Sequence, residues 1–117
     1  PLPVPGPGGA PLNDPVRPYQ GHYEGDEDTH RKPAYHNGTA WTWQFPAYCE
    51  AFFQVYGESG RSAAKAWLAS MTLPMNAGCL CQLPEIMDGD YPHTQRGCGA
   101  QAWGMSEFFR VWKILHS

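Results

Sequence analysis

Five side chains suited to proton transfer or hydrogen bonding fall within one turn-rich stretch, residues 83–98. They are Glu85, Asp88, Asp90, His93 and Arg96. The prolines and glycines spread among them prevent the stretch from forming one regular helix or strand. A bent polar loop that precedes an apolar helix is typical of a site, because loops carry the chemistry that a rigid scaffold positions. On composition alone, an acidic surface loop is the simpler interpretation.

A first long helix is predicted upstream of this loop, over about residues 39–55, where apolar side chains recur at helical spacing. Thr39 could cap its start. Pro46 lies inside the stretch and is expected either to kink the helix or to mark its true start. Gly57 and Gly60 are expected to end it.

Two further helices are predicted on either side of the polar loop. One covers about residues 62–71, and the other follows the loop over about residues 99–115. The latter is apolar around much of its circumference, so it needs to be covered on several sides. We therefore expect the chain to pack against another copy of itself or against the remainder of a longer protein.

The ends and composition of the chain limit its class further. Residues 1–18 contain seven prolines and three glycines, which predicts an extended, irregular arm. The net charge is -3 and the eight basic residues form no patch, so no nucleic-acid partner is expected. No apolar run is long enough to cross a bilayer, and no signal peptide is recognised, so we expect no membrane partner.

The four cysteines do not follow a common metal or disulfide pattern. Cys79 and Cys81 are separated by one residue, whereas a typical zinc knuckle has two. We expect free thiols in a reducing compartment, which places the protein in the cytoplasm. A metal site built from Cys79, Cys81, His93 and Cys98 is the alternative.

Three blocks of sequence carry a resemblance to a known family. The first runs from Asp14-Pro15 to Gly25-Asp26, and the second is Ala34-Tyr35-His36-Asn37-Gly38-Thr39-Ala40-Trp41-Thr42-Trp43. The third joins Pro84-Glu85-Ile86-Met87-Asp88-Gly89-Asp90 to Pro92-His93, Arg96-Gly97-Cys98 and Gln101-Ala102-Trp103. In this order they resemble the C-terminal amylo-alpha-1,6-glucosidase domain of glycogen debranching enzymes, a member of the six-hairpin glycosidases.

The resemblance implies a fold. The family's glucosidase domain is an all-α toroid of the (α/α)6 type, with twelve helices in two concentric rings. Residues 19–117 would form the C-terminal portion of such a domain, with about three helices and long loops rich in proline and glycine. The rest of the toroid would then be the partner that covers the last helix.

The resemblance also implies a chemistry. Inverting glycosidases use a general acid and a general base whose carboxyl groups lie about 6.5–9.5 Å apart. Glu85 falls where the family has its general base, and neither metal nor organic cofactor is expected. The family's acid is an aspartate upstream of the matching region, and Asp26 and Asp28 are candidates by residue type only. The residues expected to bind an α-glucan or oligosaccharide are Tyr35, His36, Trp41, Asp88, Arg96, Gln101 and Trp103, with Trp41 favoured over Trp43.

These expectations lead to one main function and two alternatives. The main hypothesis is hydrolysis of α-1,6-glucosidic branch points in glycogen or a limit dextrin, by a longer chain that supplies the acid. Another six-hairpin glycosidase, similar to glucoamylase or trehalase, is the alternative within the same class. A non-catalytic carbohydrate-binding or assembly module is the alternative from a different class.

Overall fold

The computed structural model describes residues 3–117, and it is mainly helical, so the predicted all-α class is confirmed. Pro1 and Leu2, the start of the predicted arm, lie outside the described residues. The helices are α1 (Lys32–Asn37), α2 (Gln44–Tyr56), α3 (Glu58–Ser70), α4 (Thr72–Ala77) and α5 (Ala102–His116), and a π-helical turn (Glu27–Arg31) precedes α1. Three two-residue strands, β1 (Ala40–Trp41), β2 (Ile86–Met87) and β3 (Gln95–Arg96), form a sheet in the order β1-β2-β3. None of the helices among residues 3–117 is long and apolar enough to cross a membrane.

The chain divides into two compact units. The N-terminal unit contains the residues up to Ala40 together with Met87–Arg96, and the helical unit contains Trp41–Ile86 and Gly97–Ser117. The three long helices α2, α3 and α5 all belong to the helical unit and correspond to the three predicted helices.

The core of the helical unit is formed by apolar side chains that recur at helical spacing. Ala64 and Leu68 on α3, and Val111 and Leu115 on α5, are pairs four residues apart, and all four are fully buried. Leu83 joins the same core from the segment that precedes Glu85. Each of the buried leucine and valine side chains in this core stabilises the fold by roughly 1.5–3 kcal/mol relative to full exposure. The core therefore anchors the start of the polar loop as well as the helices.

The first long helix begins five residues later than the predicted start. Thr39 does not cap it, because its hydroxyl donates instead to the carbonyl oxygen of Tyr35 at 3.0 Å. Helix α2 begins at Gln44, and Pro46 lies in its first turn. A proline is compatible with the first turn because the backbone N–H groups there have no partner within the helix. Pro46 thus marks the true start rather than a kink.

The glycines after α2 have different roles. Gly57 ends the helix with a φ of 57°, a left-handed conformation that glycine adopts readily. Gly60 does not end a helix, since it lies inside α3 and is buried. A Cβ atom on Gly60 would lie 2.8 Å from Cβ of Tyr56 and 3.2 Å from the ring of Phe52. The glycine is therefore explained by close packing between α3 and α2, and α3 begins four residues before the predicted start.

The start of the N-terminal unit folds back on itself. An isolated bridge joins Pro5 to Pro11, and the N–H of Leu12 donates to the carbonyl oxygen of Val4 at 2.8 Å. The N–H of Val4 donates to Oδ1 of the buried Asn13 at 2.8 Å. Between residues 3 and 18 the chain forms no helix, as its proline content predicts.

Candidate active site

Glu85 is fixed in the helical unit by the residues on both sides of it. Leu83, Pro84 and Ile86 are buried, and Glu85 itself is partly buried. The N–H of Glu85 donates to the carbonyl oxygen of Cys98 at 2.8 Å, and the N–H of Cys98 donates to Oε2 of Glu85 at 3.0 Å. This pair of bonds ties both the backbone and the carboxylate of Glu85 to one residue.

The start of α5 presents two of the other predicted site residues. Trp103 is 49% exposed, and its ring stacks on that of Trp43 with centroids 4.2 Å apart and planes inclined by 9°. The indole Nε1 of Trp43 and the amide Oε1 of Gln101 are both buried, and neither has a hydrogen-bond partner among residues 3–117. Trp41, which sequence reasoning favoured over Trp43, is partly buried in β1. The stacked pair Trp43 and Trp103 is thus a feature that the sequence did not reveal.

Asp88 and Arg96, both predicted to bind substrate, form an ion pair in the N-terminal unit. Asp88 is 1% exposed, and Nε and Nη2 of Arg96 donate to its Oδ2 at 3.1 and 3.0 Å. The backbone N–H of Tyr23 donates to Oδ1 of Asp88 at 2.8 Å, and Nη2 of Arg96 also donates to Glu24. Asp88 and Arg96 together therefore tie residues 23–24 to the loop of residues 87–96.

Opposing effects set the acidity of Asp88. Burial by itself would raise the pKa of this carboxyl group. Four effects more than offset the effect of burial: hydrogen bonds from the side chain of Arg96, from the backbone N–H of Tyr23 and from the side chain of His22, and the positive charge of Arg96. The pKa of Asp88 therefore lies below its ordinary value. The carboxylate is therefore ionised at neutral pH.

The lowered pKa of Asp88 predicts a loss of stability in acid. Unfolding returns this group to about 3.9, so the unfolded chain takes up the proton first. The stabilisation is present above about pH 4 and disappears as the pH falls through the lower pKa of the folded state. We expect the free energy of unfolding to fall below pH 4 and to fall less steeply in Asp88→Asn. Urea unfolding at a series of pH values measures this, and parallel curves for the two proteins would contradict the prediction.

Asp88 belongs to a cluster of three side chains of types that can ligate a metal ion. Oxygen or nitrogen atoms of His22, Glu24 and Asp88 all lie within 4.8 Å of one another. The guanidinium of Arg96, however, is bonded to both carboxylates, and its positive charge opposes a cation at the same place. All four cysteines are free thiols and none belongs to this cluster.

Tyr35 and His36 lie together on α1. The ring of His36 meets that of Tyr35 edge-on at 5.2 Å, and Tyr35 also contacts Tyr23 at 5.8 Å. His36 is exposed. The neighbouring Gly38 allows a close approach to the backbone of Gln20, since a Cβ on Gly38 would overlap the carbonyl oxygen of Gln20.

The two candidate acids are engaged in local structure. Asp26 caps the π-helical turn, and its carboxylate accepts from Thr29 Oγ1 and from the N–H groups of Asp28 and Thr29. The side-chain hydrogen bond from Thr29 is the main cause that lowers the pKa of Asp26. A general acid must hold its proton at working pH, so a lowered pKa disfavours Asp26 for that role. Asp28 pairs with Lys32 at 2.6 Å.

Comparison with known proteins assigns the chain to a family. Residues 7–110 match the family model described as amylo-alpha-1,6-glucosidase. The chain belongs to this family. It is thus a glycosidase domain of the glycogen-debranching type, as the three sequence blocks predicted. No curated protein and no solved structure matches the chain.

The sequence indicated that Glu85, Asp88 and Arg96 lie in one polar stretch, but it did not reveal their hydrogen-bond partners. Tyr23 and Glu24 are 65 and 72 residues away from the side chains that they bind. The first sequence block, which contains both residues, was the only signal that could have pointed to them. How the predicted substrate-binding residues engage a glucan stays a prediction.

Proposed function

We propose that this chain supplies the general base of an amylo-alpha-1,6-glucosidase. Glu85 removes a proton from the attacking water, and the α-1,6-linked glucosyl stub of glycogen or a limit dextrin leaves with inversion at its anomeric carbon. The acid that protonates the leaving oxygen comes from a segment outside this chain, and no metal or organic cofactor takes part.

The observation that carries this proposal is the fixed carboxylate of Glu85. It lies in the third of the three blocks that resemble the family, and the N–H of Cys98 holds one of its oxygens at 3.0 Å. A base gains from such fixation because a carboxylate held in a productive orientation loses little freedom on reaching the transition state.

The stacked indoles of Trp43 and Trp103 support binding of a sugar. Half of Trp103 is exposed, and apolar C–H faces of a glucose ring can pack on an aromatic face. Trp43 stacks on one face of the Trp103 indole, with the ring centroids 4.2 Å apart.

Replacement of Trp103 tests this binding role. We expect Trp103→Ala to weaken maltooligosaccharide binding about tenfold, which corresponds to about 1.4 kcal/mol of lost ring contact. Trp103→Phe keeps an aromatic face and is expected to retain most of the affinity. Isothermal titration calorimetry measures both variants, and an unchanged affinity in Trp103→Ala would remove Trp103 from the site.

The reaction itself is tested with the protein purified from its natural source. Phosphorylase limit dextrin is the substrate, and proton NMR records which anomer of glucose forms first. We expect glucose, released first as the β-anomer. Release of glucose from maltotriose instead would favour a glucoamylase-like enzyme, and release of glucose from trehalose would favour a trehalase-like enzyme. Binding of glucan without release of sugar would favour a carbohydrate-binding module.

The proposed partner of the chain is the remainder of the toroid domain or a second copy. Phe109 and Trp112 on α5 are 58% and 43% exposed, which leaves apolar rings uncovered on this helix. Burial of such rings against a neighbouring helix stabilises both partners. Light scattering of the natural protein gives its mass, and a monomer of this chain alone would contradict the proposal.

A further inference from the structure

Gly97, which precedes Cys98 and lies beside Glu85, has no side chain and a positive φ. Gly97 has a φ of 70°, in the left-handed region that favours glycine. A Cβ atom built on Gly97 would lie 2.6 Å from Oε2 of Glu85 and 3.2 Å from both Cβ and Cδ of Glu85. A side chain at position 97 would thus have to displace the carboxylate.

The same turn delivers the hydrogen bond to Glu85. Cys98 follows Gly97 directly, and its N–H reaches Oε2 of Glu85 while its carbonyl oxygen accepts from the N–H of Glu85. The left-handed conformation of Gly97 sets the direction of the peptide that carries the Cys98 N–H. The oxygen that this N–H holds is the atom that a Cβ on Gly97 would strike.

We propose that Gly97 and Cys98 are positioning residues for the Glu85 carboxylate. The missing side chain of Gly97 leaves room for Oε2, and the backbone N–H of Cys98 fixes that oxygen in one orientation. This inference rests on the proposed function only for its catalytic consequence, because the contacts themselves can be tested without turnover.

Gly97→Ala is the test variant, and Gly57→Ala is its matched control. Both glycines have positive φ, 70° and 57°, and both lie in the helical unit. A Cβ on Gly57, however, would have no atom within 4 Å. The control therefore places an alanine at a positive φ without the collision with Glu85.

The first readout is spectroscopic. Selective labelling with 15N-cysteine gives one amide signal for each of the four cysteines of this chain. In the unmodified protein the Cys98 amide signal is expected to shift when Glu85 is protonated, because the N–H is bonded to the carboxylate. We expect this shift to persist in Gly57→Ala and to disappear in Gly97→Ala. Persistence of the shift in Gly97→Ala would overturn the proposal.

The second readout is kinetic. We expect Gly97→Ala to lower kcat for glucose release about 10²-fold with little change in KM, since a displaced base affects the reaction more than binding. Gly57→Ala should retain kcat. If Glu85→Gln leaves glucose release intact, the proposed function fails, whereas the amide shift still decides the role of Gly97.

A third variant covers the case in which Gly97→Ala fails to fold. Glu85→Ala removes the carboxylate that the new Cβ would strike, so the double variant Gly97→Ala/Glu85→Ala should be restored to a folded state. In a double-mutant cycle, the loss of stability caused by Gly97→Ala should be smaller in the Glu85→Ala background. An equal loss in both backgrounds would show that Glu85 is not what Gly97 accommodates.

Discussion

Glu85→Gln is expected to lower kcat for glucose release from limit dextrin about 10³-fold, within the range that general acid–base groups contribute. An amide cannot take up the proton of the attacking water at neutral pH. The amide oxygen of glutamine can still accept the N–H of Cys98, so the variant should keep its fold and its thermal midpoint. Initial rates and thermal unfolding, measured on the same preparation, separate the loss of the base from a loss of structure.

The matched control is Glu58→Gln on α3, where the carboxylate is 77% exposed and pairs with Arg61. This variant is expected to release glucose at an unchanged rate. If Glu85→Gln retained full activity, the base would have to be sought elsewhere, and the family match would remain without its proposed catalytic residue.

Arg96→Ala is expected to destabilise the chain by about 3 kcal/mol, a cost typical of leaving a buried charge without its partner. Asp88 is 1% exposed and takes three hydrogen bonds shorter than 3.2 Å from Arg96 and Tyr23. Removal of the guanidinium leaves a buried carboxylate with its burial cost uncompensated. Urea unfolding at pH 7 measures the change, and the midpoint should move with little change in slope.

Two further variants define the cause of this loss. Arg17→Ala, at an exposed position, should leave the free energy of unfolding unchanged. In the double variant Arg96→Ala/Asp88→Ala the loss should be smaller than the sum of the two single losses, since no charge stays buried. Strict additivity would show that the two side chains act independently and would contradict the ion-pair interpretation.

The long helices could be predicted because helix formation depends on local spacing of apolar residues. The pairs Ala64–Leu68 and Val111–Leu115 show this spacing in the sequence and are buried in the structure. The error at α3 arose because Gly60 reads as a helix end, whereas its missing side chain accommodates Tyr56 and Phe52. The six-residue helices α1 and α4 and the two-residue strands are too short to produce a periodic pattern.

The resemblance could name candidate site residues, but the sequence could not show their contacts. The third sequence block contains Glu85, Asp88 and Arg96, and the resemblance made all three candidates for the site. Which of them is buried could not be read from the sequence, because Asp88 and Asp90 are chemically identical and two residues apart, yet only Asp88 is fully enclosed. Likewise, Trp41 and Trp43 have the same chemistry, and only the structure shows that Trp43 stacks on Trp103.

The sequence by itself therefore determined the family, the all-α class and the approximate positions of the three long helices. Each of these depends on motifs or on spacing within a few turns of chain. Only the tertiary structure decided that Glu85 is held by Cys98, that Arg96 bridges Asp88 and Glu24, and that a Cβ on Gly97 would meet Oε2 of Glu85. The physical reason is that hydrogen bonds and close contacts between residues distant in sequence form only after the core has packed, and no local pattern records which groups will then meet.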